Sequence, residues 1–206
     1  MNIIWDPQEI ERKSMSIIEE AVPELAQMSL EEQAIIKRVV HTTGDPSCAK
    51  LVKISSQAIE SGLQAIRSGC NILTDVHMLQ SGLIRRKLDE FGMHSYCLIN
   101  DPEVVKDAKD AGITRAMAAI RKGSSLVNGG IVAIGNAPTA LFTLCDMIEK
   151  GEVSPALVVG TPVGFVGAAE SKEVLAEMDI PYITIPGTRG GSTIAVTIVN
   201  ALLLLA

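Results

Sequence analysis

IVAIGNAPTALFTLCDMIEKGEVSPALVVG, residues Ile131–Gly160, is the stretch that decides the fold. It opens on a short apolar run, Ile131–Gly135, and closes on a second, Ala156–Gly160. Between them Pro138–Lys150 reads as helical. Strand, helix, strand in this order is a βαβ unit, which returns the second strand parallel to the first. The pattern extends in both directions. Asn71–Asp75, Ser95–Asn100 and Tyr182–Pro186 read as further strands, and Pro102–Lys122, Ala168–Met178 and Ser192–Leu205 as helices. This alternation predicts an α/β fold, a three-layer sandwich with a mainly parallel sheet of about five strands flanked by helices. The first 70 residues read as a helical N-terminal segment, with Asp6 as N-cap and Pro7 at the first helical position. No linker, repeat or low-complexity stretch interrupts residues 1–206, so the chain reads as a single domain.

Composition narrows the class. Apolar residues make up 47% and aromatics only 3%, the aliphatic balance of a parallel sheet covered on both faces. A net charge of −6 without any Lys/Arg run argues against nucleic acid. The longest apolar stretch, Ala201–Ala206, falls far short of the ~20 residues that span a bilayer, so no membrane span is expected. Met1–Asp6 leads directly into a charged helix, which predicts no secretory signal. Cys48, Cys70, Cys97 and Cys145 are scattered and read as reduced, mostly buried thiols of a cytoplasmic protein. Three histidines without ligand-like spacing predict no metal site.

His41 is the candidate for chemistry. Ser29 with Glu32 forms a capping box, and Ile35, Ile36, Val39 and Val40 supply a buried face, so a helix is expected over Ser29–Val40. His41 closes it and opens the polar turn His41-Thr42-Thr43-Gly44-Asp45, where Gly44 and Pro46 forbid continuation. Partial negative charge at a helix C-terminus favours the imidazolium by about 0.3–1 kcal/mol. An ionised Asp45 nearby would push the same way. A histidine poised near pH 7 can donate a proton; the plainer reading is that His41 only caps the last carbonyls of its helix. His77, beside Asp75 in a strand-to-helix turn, reads as a local hydrogen-bonding residue, and His94 as a strand boundary.

In sheets of this kind ligands bind outside the carboxyl ends of the strands. Three loops expected there are rich in Gly and small residues: Gly135–Thr139, Gly160–Gly167 and Gly187–Ser192. Each leads into a helix, so free backbone N–H groups should face the crevice and suit phosphates or carboxylates. Tight-turn packing explains any one such cluster, and none keeps the Walker-lysine or dinucleotide spacing. Lys172, on the helix after Gly167, reads as reaching a carboxylate or only solvent.

Taken together these motifs resemble the precorrin-8X methylmutase family of corrin-ring biosynthesis, which includes the cobalt-precorrin-8 form. The similarity runs from Asp6-Pro7 to Asn200. It is strongest in Pro155–Lys172 (PALVVGTPVGFVGAAESK) and nearly as specific in Ala133–Phe142 (AIGNAPTALF). Val40-His41-Thr42, Glu11–Met15, Thr74–Met78 and Gly112–Arg115 match as well.

The resemblance implies an isomerase without cofactor that moves a methyl group from C-11 to C-12 of a tetrapyrrole. The substrate would be precorrin-8X or cobalt-precorrin-8, and the product hydrogenobyrinate or cobyrinate. His41 would protonate a nitrogen of the ring that receives the methyl, a suprafacial 1,5-shift would follow, and later proton loss would reset the histidine. Such a shift needs no nucleophile, redox group or metal, only a proton donor and a pocket that holds one tautomer. Ser14 and Arg115 fall on family positions that contact the ligand. The loop argument adds Thr42, Asn136, Thr139, Phe165, Arg189 and Ser192 for a flat macrocycle rimmed by carboxylates. Trp5 and Thr188 depart from the family, where basic residues are common. The resemblance also implies a homodimer with active sites near the interface. The apolar helix Ile194–Leu205 fits burial in such an interface or within one subunit. The residues alone leave two other readings open, a non-catalytic corrinoid carrier and a nucleotide-binding α/β protein. No motif decides whether the substrate carries cobalt.

Overall fold

The computed structural model describes residues 3–206; Met1 and Asn2, the start of the signal-free terminus expected above, lie outside the described residues. Helices α1 (Pro7–Ala21) and α2 (Leu30–Thr43) precede strand β1 (Lys53–Ile54) and helix α3 (Ala58–Arg67). Strand β2 (Ile72–Thr74) leads into the short helices α4 (His77–Gly82) and α5 (Arg85–Glu90), then strand β3 (Ser95–Tyr96) and helices α6 (Pro102–Asp110) and α7 (Arg115–Gly123). Three strand–helix units follow: β4 (Ile131–Ile134) with α8 (Pro138–Glu149), β5 (Leu157–Gly160) with α9 (Ala168–Glu177), and β6 (Tyr182–Thr184) with α10 (Ser192–Leu205).

The strands form one sheet in the order β1-β6-β5-β4-β2-β3. Every pairing is parallel except β1 with β6, where Lys53 faces Thr184 and Ile54 faces Ile183. Alternation along the central strands sorts side chains onto two faces. Ile131, Ala133, Leu157 and Val159 pack with Ile194, Ile198, Leu202, Ile66 and Leu79 from α10, α3 and α4. Val132, Ile134 and Val158 pack on the other side with Ile120, Leu141, Leu144 and Leu175 from α7, α8 and α9. The three layers are therefore present, and β4 and β5 are buried along their whole length. Each such aliphatic side chain withdrawn from water is worth about 1.5–3 kcal/mol. Outside this frame α1 closes over α2 through Ile18, Val22, Ile36 and Val40.

Four expectations are corrected. The N-terminal 70 residues are not wholly helical: β1 adds a sixth strand, two residues long and antiparallel, at the sheet edge. A segment this short carries no periodicity, and its pairing is set by β6 alone. The helix expected over Pro102–Lys122 is two helices, because Gly112 takes φ +64° and Thr114 starts α7 by accepting a hydrogen bond from Met117 N–H. The strand expected over Ser95–Asn100 stops at Tyr96, where the chain turns and Asp101 N–H bonds the Leu98 carbonyl. Finally, α2 runs past Val40 to Thr43, so His41 lies inside its last turn.

Candidate active site

The C-terminal turn of α2 is closed without help from His41. Gly44 N–H bonds the Val40 carbonyl at 2.9 Å, and the Thr43 hydroxyl bonds the Val39 carbonyl at 2.9 Å. His41 is exposed, and among the described residues no hydrogen bond engages its ring. The side-chain cap allowed by the sequence is therefore not formed. Next to it, Thr42 Oγ1 meets Thr197 Oγ1 at 2.8 Å, tying the end of α2 to α10.

Asp45 makes its hydrogen bonds away from His41. Its carboxylate accepts a hydrogen bond from Ser47 N–H at 2.9 Å, and Arg189 Nη1 lies 3.0 Å from its other oxygen. The bonds from Ser47, reinforced by Arg189, hold its carboxyl below the ordinary carboxylate range. A concavity of about 320 Å³ opens here between Thr43, Asp45, Cys48, Val163, Arg189 and Ile194. A larger concavity, about 750 Å³, is lined by Ser29, Glu31, Glu32 and the face of α3. It lies at the opposite end of α2, ~18 Å from His41 at 1.5 Å per residue, and is not part of this site.

The loop after β4 overturns one electrostatic expectation. Its N–H groups are not free, because the Asp75 carboxylate at the end of β2 accepts all three: Gly135 at 3.1 Å, Asn136 at 2.7 Å and Ala137 at 2.8 Å. Asp75 is 1% exposed, and burial outweighs these bonds in pushing its carboxyl up. The N-terminal end of α8 is thus already occupied by the Asp75 carboxyl. What this loop offers a ligand is side chains, with Asn136 exposed and Thr139 half-buried. Thr139 Oγ1 meets Thr114 Oγ1 at 3.0 Å, which brings the loop beside Arg115, the first residue of α7. Arg115 is exposed, with Nη1 donating to Asn100 Oδ1 at 3.2 Å.

The expected site residues fall in two groups: His41 and Thr42 in the last turn of α2, with Arg189 reaching Asp45 just beyond it, and Asn136, Thr139 and Arg115 around the loop after β4. The start of α10 lies between them. Ser192 is buried against Gly135, where a Cβ would come within 2.6 Å of its Cα, and Thr197 one turn on carries the contact to Thr42. Two expected residues make no hydrogen bond to either group. Ser14 is half-buried on α1 with its hydroxyl donated to the Ile10 carbonyl. Phe165 projects from the loop after β5 and is 92% exposed.

Lys172 reaches neither a carboxylate nor solvent. It is 1% exposed and donates to the Arg189 carbonyl at 2.6 Å. Burial pushes its ammonium down to about 8. Most of the apolar face of α10 is covered within the subunit, by α2, α3 and the sheet, while Leu204 stays 46% exposed. His77 Nδ1 meets Gln80 Oε1 at 3.2 Å, the local role expected of it. Asp75 and Lys172 were absent from the residues expected to organise the site. A carboxylate directly after a strand that faces a Gly-rich loop is the one signal that pointed to Asp75.

Among the described residues no group of three or more His, Cys, Asp or Glu side chains is placed to hold a metal ion, and no helix is long and apolar enough to cross a membrane.

Comparison with known proteins places this architecture. A model of the family described as precorrin-8X methylmutase matches residues 9–205. The cobalt-precorrin-8 methylmutase of Leptospira interrogans is 46% identical over 96% of this chain and 93% of its own. The precorrin-8X methylmutase of Pseudomonas aeruginosa is 38% identical over 98% and 97%. The solved structure of a precorrin-8X methyl mutase from Thermus thermophilus superposes with a TM-score of 0.87 at 39% identity, covering 96% of this chain and 95% of that one.

Proposed function

The chain belongs to the precorrin-8X methylmutase family of cobalamin-biosynthesis isomerases, and on that premise we propose that it moves a methyl group from C-11 to C-12 of precorrin-8X or cobalt-precorrin-8. His41 is the proton donor and acceptor. The observation that carries this reading is an exposed imidazole with no hydrogen bond to the described residues, in the last turn of α2 and two residues before Thr43, which lines the concavity of Asp45 and Arg189. A general acid must meet the substrate directly, and a ring not spent on capping its helix is able to do so.

The remaining roles follow the layout of charge. The product is cobyrinate or its metal-free counterpart, and its rim carboxylates are received by Arg115 and Arg189 with Thr42, Asn136, Thr139 and Ser192 alongside. Ser14 contacts the ligand from α1, and Phe165 covers the macrocycle face. With a net charge of −6, attraction of an anionic substrate has to be local, and the two exposed arginines supply it. The protein works without cofactor in the cytoplasm, as a homodimer with its sites near the interface, and residues 1–206 act as one domain.

The test is incubation with precorrin-8X and with its cobalt form while the absorption spectrum is followed. Rearrangement of the chromophore by the wild-type protein is expected, with a loss of about 10²–10⁴-fold in His41→Ala and retained binding of cobyrinate. A protein that binds cobyrinate and rearranges neither substrate is a carrier, and the reading fails.

A further inference from the structure

Lys172 is a buried ammonium that no carboxylate answers: burial alone moves it from its ordinary value, and its single hydrogen bond goes to the Arg189 carbonyl. Taking such a charge out of water is costly, so an apolar side chain of the same length would serve the core better. The reason for a lysine lies in what it holds.

It holds the strap Arg189-Gly190-Gly191. Gly191 N–H bonds the Thr161 carbonyl at 2.8 Å, and Thr188 accepts from Gly164 N–H at 3.2 Å, so the strap lies flat on the loop after β5. Gly190 is pressed so closely there that a Cβ would stand 2.3 Å from the Thr161 carbonyl oxygen. The backbone on either side is fixed by backbone, whereas the residue that carries the guanidinium is fixed by one side chain from below. From Arg189 the side chain leaves the strap into solvent and reaches Asp45, just past the end of the His41 helix.

We propose that Lys172 is a positioning residue, which by gripping the Arg189 carbonyl sets where the Arg189 guanidinium meets a carboxylate of the substrate. The inference rests on the reading that Arg189 contacts substrate. In Lys172→Met the stem is kept and the grip is lost. Folding should be retained with an unchanged or higher Tm, and KM should rise about tenfold, the worth of one hydrogen bond to a charged group, with kcat changed much less.

Arg189→Ala and the double variant separate the two readings. If Arg189→Ala leaves KM unaltered, the arginine is not a substrate contact and the premise fails. If Arg189→Ala raises KM while Lys172→Met does not, or if their effects multiply, the positioning role is overturned and the premise stands. Equal effects with no further loss in the double variant support it. Lys172→Gln, a shorter side chain that still donates, is expected to recover part of the KM lost in Lys172→Met. If both substitutions abolish folding, the lysine is a core strut and the proposal is wrong.

Discussion

Arg189 crosses from the loop after β6 to Asp45, its Nη1 3.0 Å from Oδ2, and so joins the end of the His41 helix to the Gly-rich edge of the sheet. Both side chains are substantially exposed, so the pair adds little to stability. If Arg189 receives a substrate carboxylate, as proposed, Asp45 competes for the same guanidinium. Asp45→Asn should leave the melting temperature nearly unchanged and tighten cobyrinate binding by about two- to fivefold at low salt. Titration of the product by absorbance checks this, and weaker binding would mean that Asp45 orients the arginine instead.

Arg115 is held by Asn100 at the start of α7 with its charge open to solvent. Arg115→Ala should weaken product binding by about 10-fold or more, as expected for loss of a charge-assisted hydrogen bond. The loss should shrink as salt is raised. Unchanged affinity at low salt would remove Arg115 from the site.

The Asp75 clamp predicts a stability defect larger than that of any surface change. Asp75→Ala leaves the N–H groups of Gly135, Asn136 and Ala137 without their acceptor. With about 1–3 kcal/mol for each buried group left unpaired, and Gly135 and Ala137 the two that are buried, the loss should be at least about 2 kcal/mol in urea unfolding. A smaller loss would show that water replaces the carboxylate.

Alkaline titration isolates Lys172. Its ammonium is depressed from 10.5 to about 8 in the folded chain. Below pH 8 both states hold the proton and the full burial cost is present. Between about 8 and 10.5 the unfolded chain binds more protons than the folded one, so stability rises with pH across that window, by up to about 3 kcal/mol. Lys172→Met should lack this rise. Unfolding free energies of both proteins at pH 7.5 and 10 provide the measurement, and parallel curves would contradict a neutralised lysine.

Much of the frame was legible in the chain because its signals are local. Apolar runs bounded by glycine marked β4, β5 and β6, the Ser29–Glu32 box marked the start of α2, and Asp6-Pro7 marked α1. The end of α2 was read three residues short, since Thr43 bonding back to Val39 competes with the polar-turn signal of the same residues. β1 was invisible because two residues hold no period, and the break at Gly112 was hidden by apolar spacing that continues on both sides of it. At the site, residue types were legible and their pairings were not. Asp45 lies close to His41 in sequence, yet its ion-pair partner is Arg189, 144 positions away, which no local signal shows.

By itself the sequence determined the layered α/β frame, the alternation of faces and a histidine at the end of an amphipathic helix, because periodicity, capping and turn chemistry act over a few residues. The tertiary structure alone decided which charges meet. Asp75 occupies the N–H groups that read as open to a ligand, Lys172 lies beneath Arg189 instead of at the surface, and most of the apolar face of α10 packs in its own subunit. Each of these depends on chain closure over tens of residues, where burial removes water and the nearest partner is chosen by packing instead of by position along the chain.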